Sequence, residues 1–441
     1  MGRSNRWHIR FSIAVGLLTL LIGGCHGGTE SAPDGAYRLT VWIHSGRAAE
    51  RRTLERQVRA FNHSQDAVRA QLTLIPEGSY NGQVQAAALA GDLPDVLEFD
   101  GPYVYNYAWQ GKLTPLTDLL PAKLRRQLLP SILQQGTYRG TLYSVATFDS
   151  GLGLWGNRKQ LRRAGVRIPT SPADAWTADE FRAVLAALAA RDSDGQVLDL
   201  KLNYPDEWFT YAFSPLIESA GGDLINRSTY RSAQGVLNGP AAVYAMQQVQ
   251  DWIRSGYVDP NLDDAAFVDR RVALAWGGHW NYPRYHRALG DDLVLLPLPR
   301  FGPRLVTGQG SWNWGITTHC RRPRAAARFL EFLLQTPQVL AISDANGGVP
   351  GTRAAIARSP LYASHGPLRL FAEQLLDGYA VPRPRTPAYP VISSAFAAAF
   401  RAIRNGADVQ RALNHAAAVI DRDIRDNHGY PPAANRRGGR S

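Results

Sequence analysis

Along the first third of the chain the spacing of apolar residues switches repeatedly between two periods. Arg38-Leu-Thr-Val-Trp-Ile43 alternates and is rich in β-formers, which predicts a strand, with His44-Ser45-Gly46 as the turn after it. Leu54, Val58 and Phe61 then recur at i, i+4 and i+7 with arginines on the outer face, the stripe of a surface helix. A second strand over 70–75, a helix from Val84 to Ala90 stopped by Gly91, and a third strand over 93–99 closing at Asp100-Gly101 follow. A β-α-β-α-β alternation implies a parallel sheet with right-handed crossovers, and such sheets take ligands beyond the carboxyl ends of their strands. Those ends carry Ser45, Tyr80 and Asp100.

The pattern then changes. Residues 102–135 read as helices broken by prolines, 138–145 as a hairpin and 151–157 as a strand leaving it. Thr147-Phe-Asp-Ser-Gly151, between the last two, is a crossing from one domain to another. A second α/β region opens at Thr177-Ala-Asp-Glu180, a capping box for a helix running to Ala190. An aromatic-rich stretch from Tyr204 to Phe213 follows, with Trp208 expected on the surface. Next comes a helix from Pro240 to Gly256, with Val243, Met246, Val249 and Ile253 inward. A strand over 292–297, an amphipathic helix from Arg324 to Gln335, a glycine-rich loop at Asn346–Arg353, a proline-broken piece over 381–387 and closing helices up to Arg425 complete the chain. No internal repeat is visible. At 441 residues the chain is too long for one core, so two domains are expected.

Two segments share a composition that suggests chemistry. An apolar run from Val272 leads to Gly277-Gly278, and Trp280, Asn281 and Tyr282 emerge beyond it; Gln309-Gly-Ser-Trp-Asn-Trp-Gly315 repeats the make-up. A flat indole stacks on the C–H faces of a polyol while a neighbouring amide pairs with its hydroxyls. Core packing at a strand end is the plainer reading of any single ring, but two segments with one pattern point to a site. Trp280, after the glycines, is expected to face a ligand, and Trp276 to stay in the core.

The first residues look like a processing signal: Arg3, Arg6 and Arg10, then an apolar run from Phe11 to Ile22, then Gly23-Gly24-Cys25. The run is too short for a membrane span of ~20 residues. An apolar residue, two small residues and a cysteine resemble a bacterial lipobox. That resemblance implies cleavage after residue 24, a lipid (palmitate) on Cys25 and a tether over 25–36. Cys320 is the only other cysteine, so once Cys25 is lipidated no disulfide forms within the mature chain, and no metal site is predicted. The net charge is +12, or +9 without the leader's three arginines. A skew of 45 arginines to four lysines, scattered along the chain, fits a compositional bias better than a nucleic-acid surface.

Catalytic signatures are missing. Asp100, Asp149 and Glu207 are carboxylates of the kind a glycosidase uses, but nothing pairs them. No Gly-x-Ser-x-Gly elbow and no phosphate loop occur, and His279 and His286 stand seven apart across Pro283. Arg191-Asp-Ser-Asp-Gly195 has the outline of a calcium loop, but Lys201 stands where the bidentate glutamate belongs, so a turn is expected. No catalytic residue, metal or cofactor is predicted.

Taken in order, the pieces resemble the family 1 extracellular solute-binding proteins, the lipoprotein receptors of bacterial ATP-driven sugar importers. Val41-Trp-Ile-His-Ser-Gly46, Ala87-Ala-Leu-Ala-Gly-Asp-Leu-Pro-Asp-Val96, Gly111-Lys-Leu-Thr-Pro-Leu116, Leu154-Trp-Gly-Asn-Arg-Lys159, Ala273–Trp280 and Gly347–Arg353 match the family's segments collinearly, from 37 to about 425. The resemblance implies an α/β, two-lobed periplasmic-binding-protein fold of type II, with a ligand cleft between lobes joined by crossing strands. Lobe one is expected at 37–147 plus 292–345, lobe two at 150–290 plus 346–430, and a disordered tail at 431–441. It also implies hinge closure on a carbohydrate, signalling to an ABC transporter permease, in a monomeric chain anchored through Cys25 outside the cytoplasm. Carried over by resemblance, the ligand-binding residues are Ser45, Tyr80, Asp100, Asp149, Gly278, Trp280, Gln309, Trp312, Gly348 and Arg385; composition adds Trp208 and Arg353. One departure is Gly156-Asn157-Arg158, where the family has Tyr-Asn-Lys. His44-Ser45-Gly46 and Glu77-Gly-Ser-Tyr80 lean toward the glycerol-phosphodiester binders, whose ligand would want a cleft arginine, Arg385 or Arg47. A di- or oligosaccharide is thus the first expectation and a glycerophosphodiester the second. A lipid-anchored glycan-active enzyme and a receptor feeding a sensor are the competing classes.

Overall fold

A computed structural model describes residues 35–432. The expected leader, the lipidated Cys25, all but the last residues of the tether and nearly all of the tail lie outside them. Two sheets organise the chain. In the first, strands Val68–Ile75, Tyr37–His44 and Val96–Asp100 run parallel, as the alternating periods require; Trp312–Ile316 joins antiparallel to Val96–Asp100, and Ser144–Val145 antiparallel to Trp312–Ile316. In the second, Leu293–Leu296, Leu152–Asn157, Leu274–Gly278 and Leu198–Asp199 lie side by side. The architecture is the expected α/β pair of lobes.

The helix between the second and third strands starts at Glu77, earlier than its periodicity suggests. Tyr80, Val84 and Ala88, four apart, form its buried face, and Gly91 ends it in the left-handed conformation that glycine tolerates. In lobe two, Thr177 caps the helix Ala178–Ala189 through both bonds of the capping box. The helix Pro240–Arg254 buries Met246 and Val249 as expected, but also Ala242, Ala245 and Trp252, while Val243 and Ile253 are only half-buried. It packs with Asp206–Ser219 and the closing helices Tyr389–Arg404 and Val409–Asp426 around a core holding Trp276 and Phe213. The 191–195 stretch is a turn held by Asp192 and Asp194, and Lys201 is wholly buried between Asp199 (2.6 Å) and Asp264 (2.8 Å).

Two short pairings lie at the crossings. Phe148–Asp149 lies antiparallel to Val349–Pro350, and Thr307–Gln309 lies parallel to Ala380–Pro382. The boundary expected at 292 is corrected here. Leu293–Leu296 extends the second sheet because Val294 and Leu295 pack on the bare backbone of Gly156 and Gly153, so the chain returns to lobe one only past Gln309. It turns there at Gly310, whose φ of +116° belongs to glycine, and a Cβ at that position would stand 2.4 Å from the Gln135 amide. Among the described residues no helix is long and apolar enough to cross a membrane.

Candidate functional site

Between the carboxyl ends of the first sheet and the glycine end of Leu274–Gly278 lies a cavity of about 1040 Å³. Its wall in lobe one is Trp312, the first residue of a sheet-one strand. The indole lies flat on the imidazole of His44, with ring centroids 3.7 Å apart and planes 4° apart, and Tyr80 meets it edge-on at 5.3 Å. His44 is 3% exposed, and its Nδ1 donates to Glu98 at 2.7 Å. Burial alone would keep such a ring neutral, but the charge and hydrogen bond of Glu98, with weaker help from Glu50 and Glu77, raise it to about 9. Trp312 therefore sits on a buried imidazolium.

The wall in lobe two is an aromatic corner. Trp280 meets Trp208 edge-on at 6.0 Å and Tyr211 at a tilt of 44° at 6.2 Å, and the His279 ring stands edge-on behind it at 5.2 Å. Burial holds His279 down at about 4, so this ring is neutral. A Cβ on Gly278 would lie 2.1 Å from the Trp280 ring, so only glycine lets the indole fold back over the strand end. Trp276 points the other way, fully buried, with Nε1 donating to the Ala212 carbonyl at 3.2 Å.

Charge is concentrated at the back and at the mouth. Arg383, buried at the back, donates to both oxygens of Asp100 at 2.7 Å and to Glu207 at 2.5 Å, with the rings of Tyr211 and Tyr389 beside it. Glu207 also accepts from Tyr389, Ser393 and Tyr103. At the mouth Arg47, from lobe one, reaches across to Tyr204 (2.7 Å) and Asp264 (3.5 Å) of lobe two. The helix Glu77–Ala90 lines one side with Gly78, Asn81, Gly82 and Gln85. A Cβ on either of its two glycines would meet nothing within 4 Å, so packing does not require them.

Of the residues expected from the sequence, Arg47, Asp100, Trp208, Trp280 and Trp312 line the cavity. Trp208 is 5% exposed rather than on the surface, because its Nε1 is tied to the Leu200 carbonyl. The others fall behind the lining or away from it. Ser45 accepts from the Glu77 amide at the start of the next helix. Tyr80 is fully buried and donates to the Glu98 carbonyl, supporting Trp312 from beneath. Asp149 is buried in the crossing, where it accepts from the amides of Ser150 and Gly310 and burial raises its pKa. Gly278 acts through Trp280, Gln309 is held in the Thr307–Gln309 pairing, and Gly348 is pressed against Phe148. Arg353 and Arg385 are exposed and outside the lining. Of the two arginines weighed for the cleft, Arg47 lines it and Arg385 does not; the second cleft arginine is Arg383, and in Val381-Pro-Arg-Pro-Arg the two arginines share a strand parity, so alternation cannot choose between them. Tyr211 and Gly82 were also missed; Glu207 stands out in the sequence only as a carboxylate, and His44 and Gly78 only as parts of the segments 44–46 and 77–80. Among the described residues no His, Cys, Asp and Glu cluster could hold a metal ion. Cys320 is buried, its thiol pushed up to about 12 by burial and by Asp95.

A family model described as bacterial extracellular solute-binding protein matches residues 56–368. A lipoprotein of uncharacterised function from Streptomyces antibioticus, encoded in the oleD 5′ region, is 25% identical over 372 residues, 81% of this chain and 80% of that protein. Among solved structures, an ABC substrate-binding protein from Listeria monocytogenes in complex with cycloalternan superposes with a TM-score of 0.76 at 19% identity, covering 88% of this chain and 98% of that one. The maltose/maltodextrin-binding domain from Bdellovibrio bacteriovorus bound to maltotriose gives 0.74 at 19%, covering 88% and 100%. At such identities the structural likeness establishes the fold.

Proposed function

The chain belongs to the bacterial extracellular solute-binding proteins, and from that premise we propose that it captures an uncharged oligosaccharide between its lobes and delivers it to an ABC transporter permease. The observation that carries this reading is the pair of indoles, Trp280 and Trp312, facing one cavity from different sheets. Two stacking surfaces and about 1040 Å³, against roughly 300–1,000 Å³ for small-molecule sites, suit more than one sugar ring. The cycloalternan and maltotriose held by the two structural relatives are ligands of that class.

Charge argues against the phosphodiester reading. A phosphate needs an uncommitted guanidinium, yet Arg383 is shared by Asp100 and Glu207, and Arg47 by Tyr204 and Asp264. Neither Arg353 nor Arg385 reaches the cavity. The same ion pairs weigh against a glycosidase: Asp100 and Glu207 are tied to one arginine, and Asp149 is not in the lining. Anchoring by a lipid on Cys25, at the outer face of the membrane, and action as a monomer complete the reading. A thermal-shift panel of linear and cyclic oligosaccharides with glycerophosphodiesters tests it. A rise in melting temperature is expected with one or more neutral saccharides and none with the phosphodiesters; a silent saccharide series would overturn it.

A further inference from the structure

Each of the two cavity-facing tryptophans rests against a histidine, and the histidines are connected through the interior. His44, flat beneath Trp312, has its Nε2 3.9 Å from Glu50 Oε2. Glu50 Oε1 accepts from the Asn346 side-chain amide at 2.9 Å. The Asn346 backbone carbonyl accepts from His279 Nδ1 at 2.9 Å, and His279 meets Trp280 edge-on. All four residues are at least nine-tenths buried. The free oxygen of the Asn346 amide accepts from the Gly348 N–H at 2.8 Å, which fixes that side chain from both ends. The turn beyond it is equally confined, since a Cβ on Gly347 would stand 2.6 Å from the His279 carbonyl. Buried polar groups persist where they are hydrogen-bonded, and such bonds stiffen the path from Glu50 through Asn346 to His279, which His44 joins by the 3.9 Å charge contact with Glu50. This path runs from the lobe-one wall, through the end of helix Thr336–Asn346, to the lobe-two wall.

We propose that His44, Glu50, Asn346 and His279 form a positioning chain that sets the spacing and tilt of Trp280 relative to Trp312, so that a displacement of one ring is felt by the other. This rests on the reading that both rings face the ligand, and adds what fixes the distance between them. The test is ligand-free ¹⁹F NMR of protein labelled with 5-fluorotryptophan, the two resonances being assigned by Trp280→Phe and Trp312→Phe. Asn346→Leu removes the bond to Glu50 and is expected to shift both resonances. The exchange Glu50→Gln with Asn346→Asp reverses donor and acceptor but keeps the bond, and is expected to return both toward their original positions. Asn346→Asp alone, which sets two carboxylates together, is expected to shift both, and serves if the leucine variant does not fold. A shift confined to one ring, no shift, or an exchange that restores neither overturns the proposal. Titration with maltotriose is read separately: failure of the unmodified protein to bind it counts against the ligand reading and leaves the linked resonances standing.

Discussion

The two walls of the cleft present the same chemical surface and support it in different ways. In lobe one a single indole lies on a buried imidazolium, held by Glu98 at 2.7 Å and edged by Tyr80. In lobe two the indole leans on other rings, Trp208 and Tyr211, above a glycine and in front of a neutral histidine. A charged support has a defined geometry but depends on its counter-ions and on pH; an aromatic corner depends mainly on volume and ring geometry. The orientation of Trp312 thus rests mainly on a charged contact, and that of Trp280 on aromatic packing together with the hydrogen bond that holds the neutral His279 behind it.

The largest effect is expected where both walls share a support. Arg383→Ala strands Asp100 and Glu207 as unpaired buried carboxylates and is expected to cost about 3–5 kcal/mol in chemical denaturation. Arg385→Ala, two residues on and exposed, is expected to cost under about 0.5 kcal/mol. The histidines separate the walls by pH. His44, raised to about 9, contributes stability that is complete below about 6.5 and lost as pH rises through 9; His279, lowered to about 4, lets stability fall as pH drops from about 6.5 toward 4. Each limb amounts to at most about 3 kcal/mol. His44→Gln should flatten only the alkaline limb and His279→Gln only the acidic one, read from denaturation midpoints across pH. Next, Trp312→Ala, which uncovers the imidazolium, is expected to destabilise by about 2–3 kcal/mol and Trp280→Ala by about 1 kcal/mol; equal costs would remove the distinction between the walls. The smallest effect is expected from Gly278→Ala, which pushes the Trp280 ring aside and should weaken saccharide binding roughly tenfold in calorimetry with a small change in melting temperature.

How much of this was legible follows from where each signal lives. The parallel start of the first sheet is written in periods that a strand and a helix each impose locally, so 37–100 reads directly. The tryptophan segments were legible because glycine beside an indole is a local pattern, and on either side of Gly277-Gly278 Trp276 is buried while Trp280 lines the cavity. The lobe boundary was not, since Leu293–Leu296 chooses its sheet by packing on two glycines some 140 residues earlier. Arg383 was missed for Arg385 because ion pairing with Asp100 and Glu207 is decided in three dimensions. His44 is legible only as part of the turn 44–46: the stacking on Trp312 exists only after residues 268 apart meet.

The most direct test of the two-walled cleft is calorimetric titration of the unmodified protein, Trp280→Ala and Trp312→Ala with the saccharide that gives the largest thermal shift. Stacking from both walls predicts that each substitution alone weakens binding by about 100-fold, or ~2.7 kcal/mol, in protein that still melts cooperatively. Wild-type affinity in either variant would contradict it.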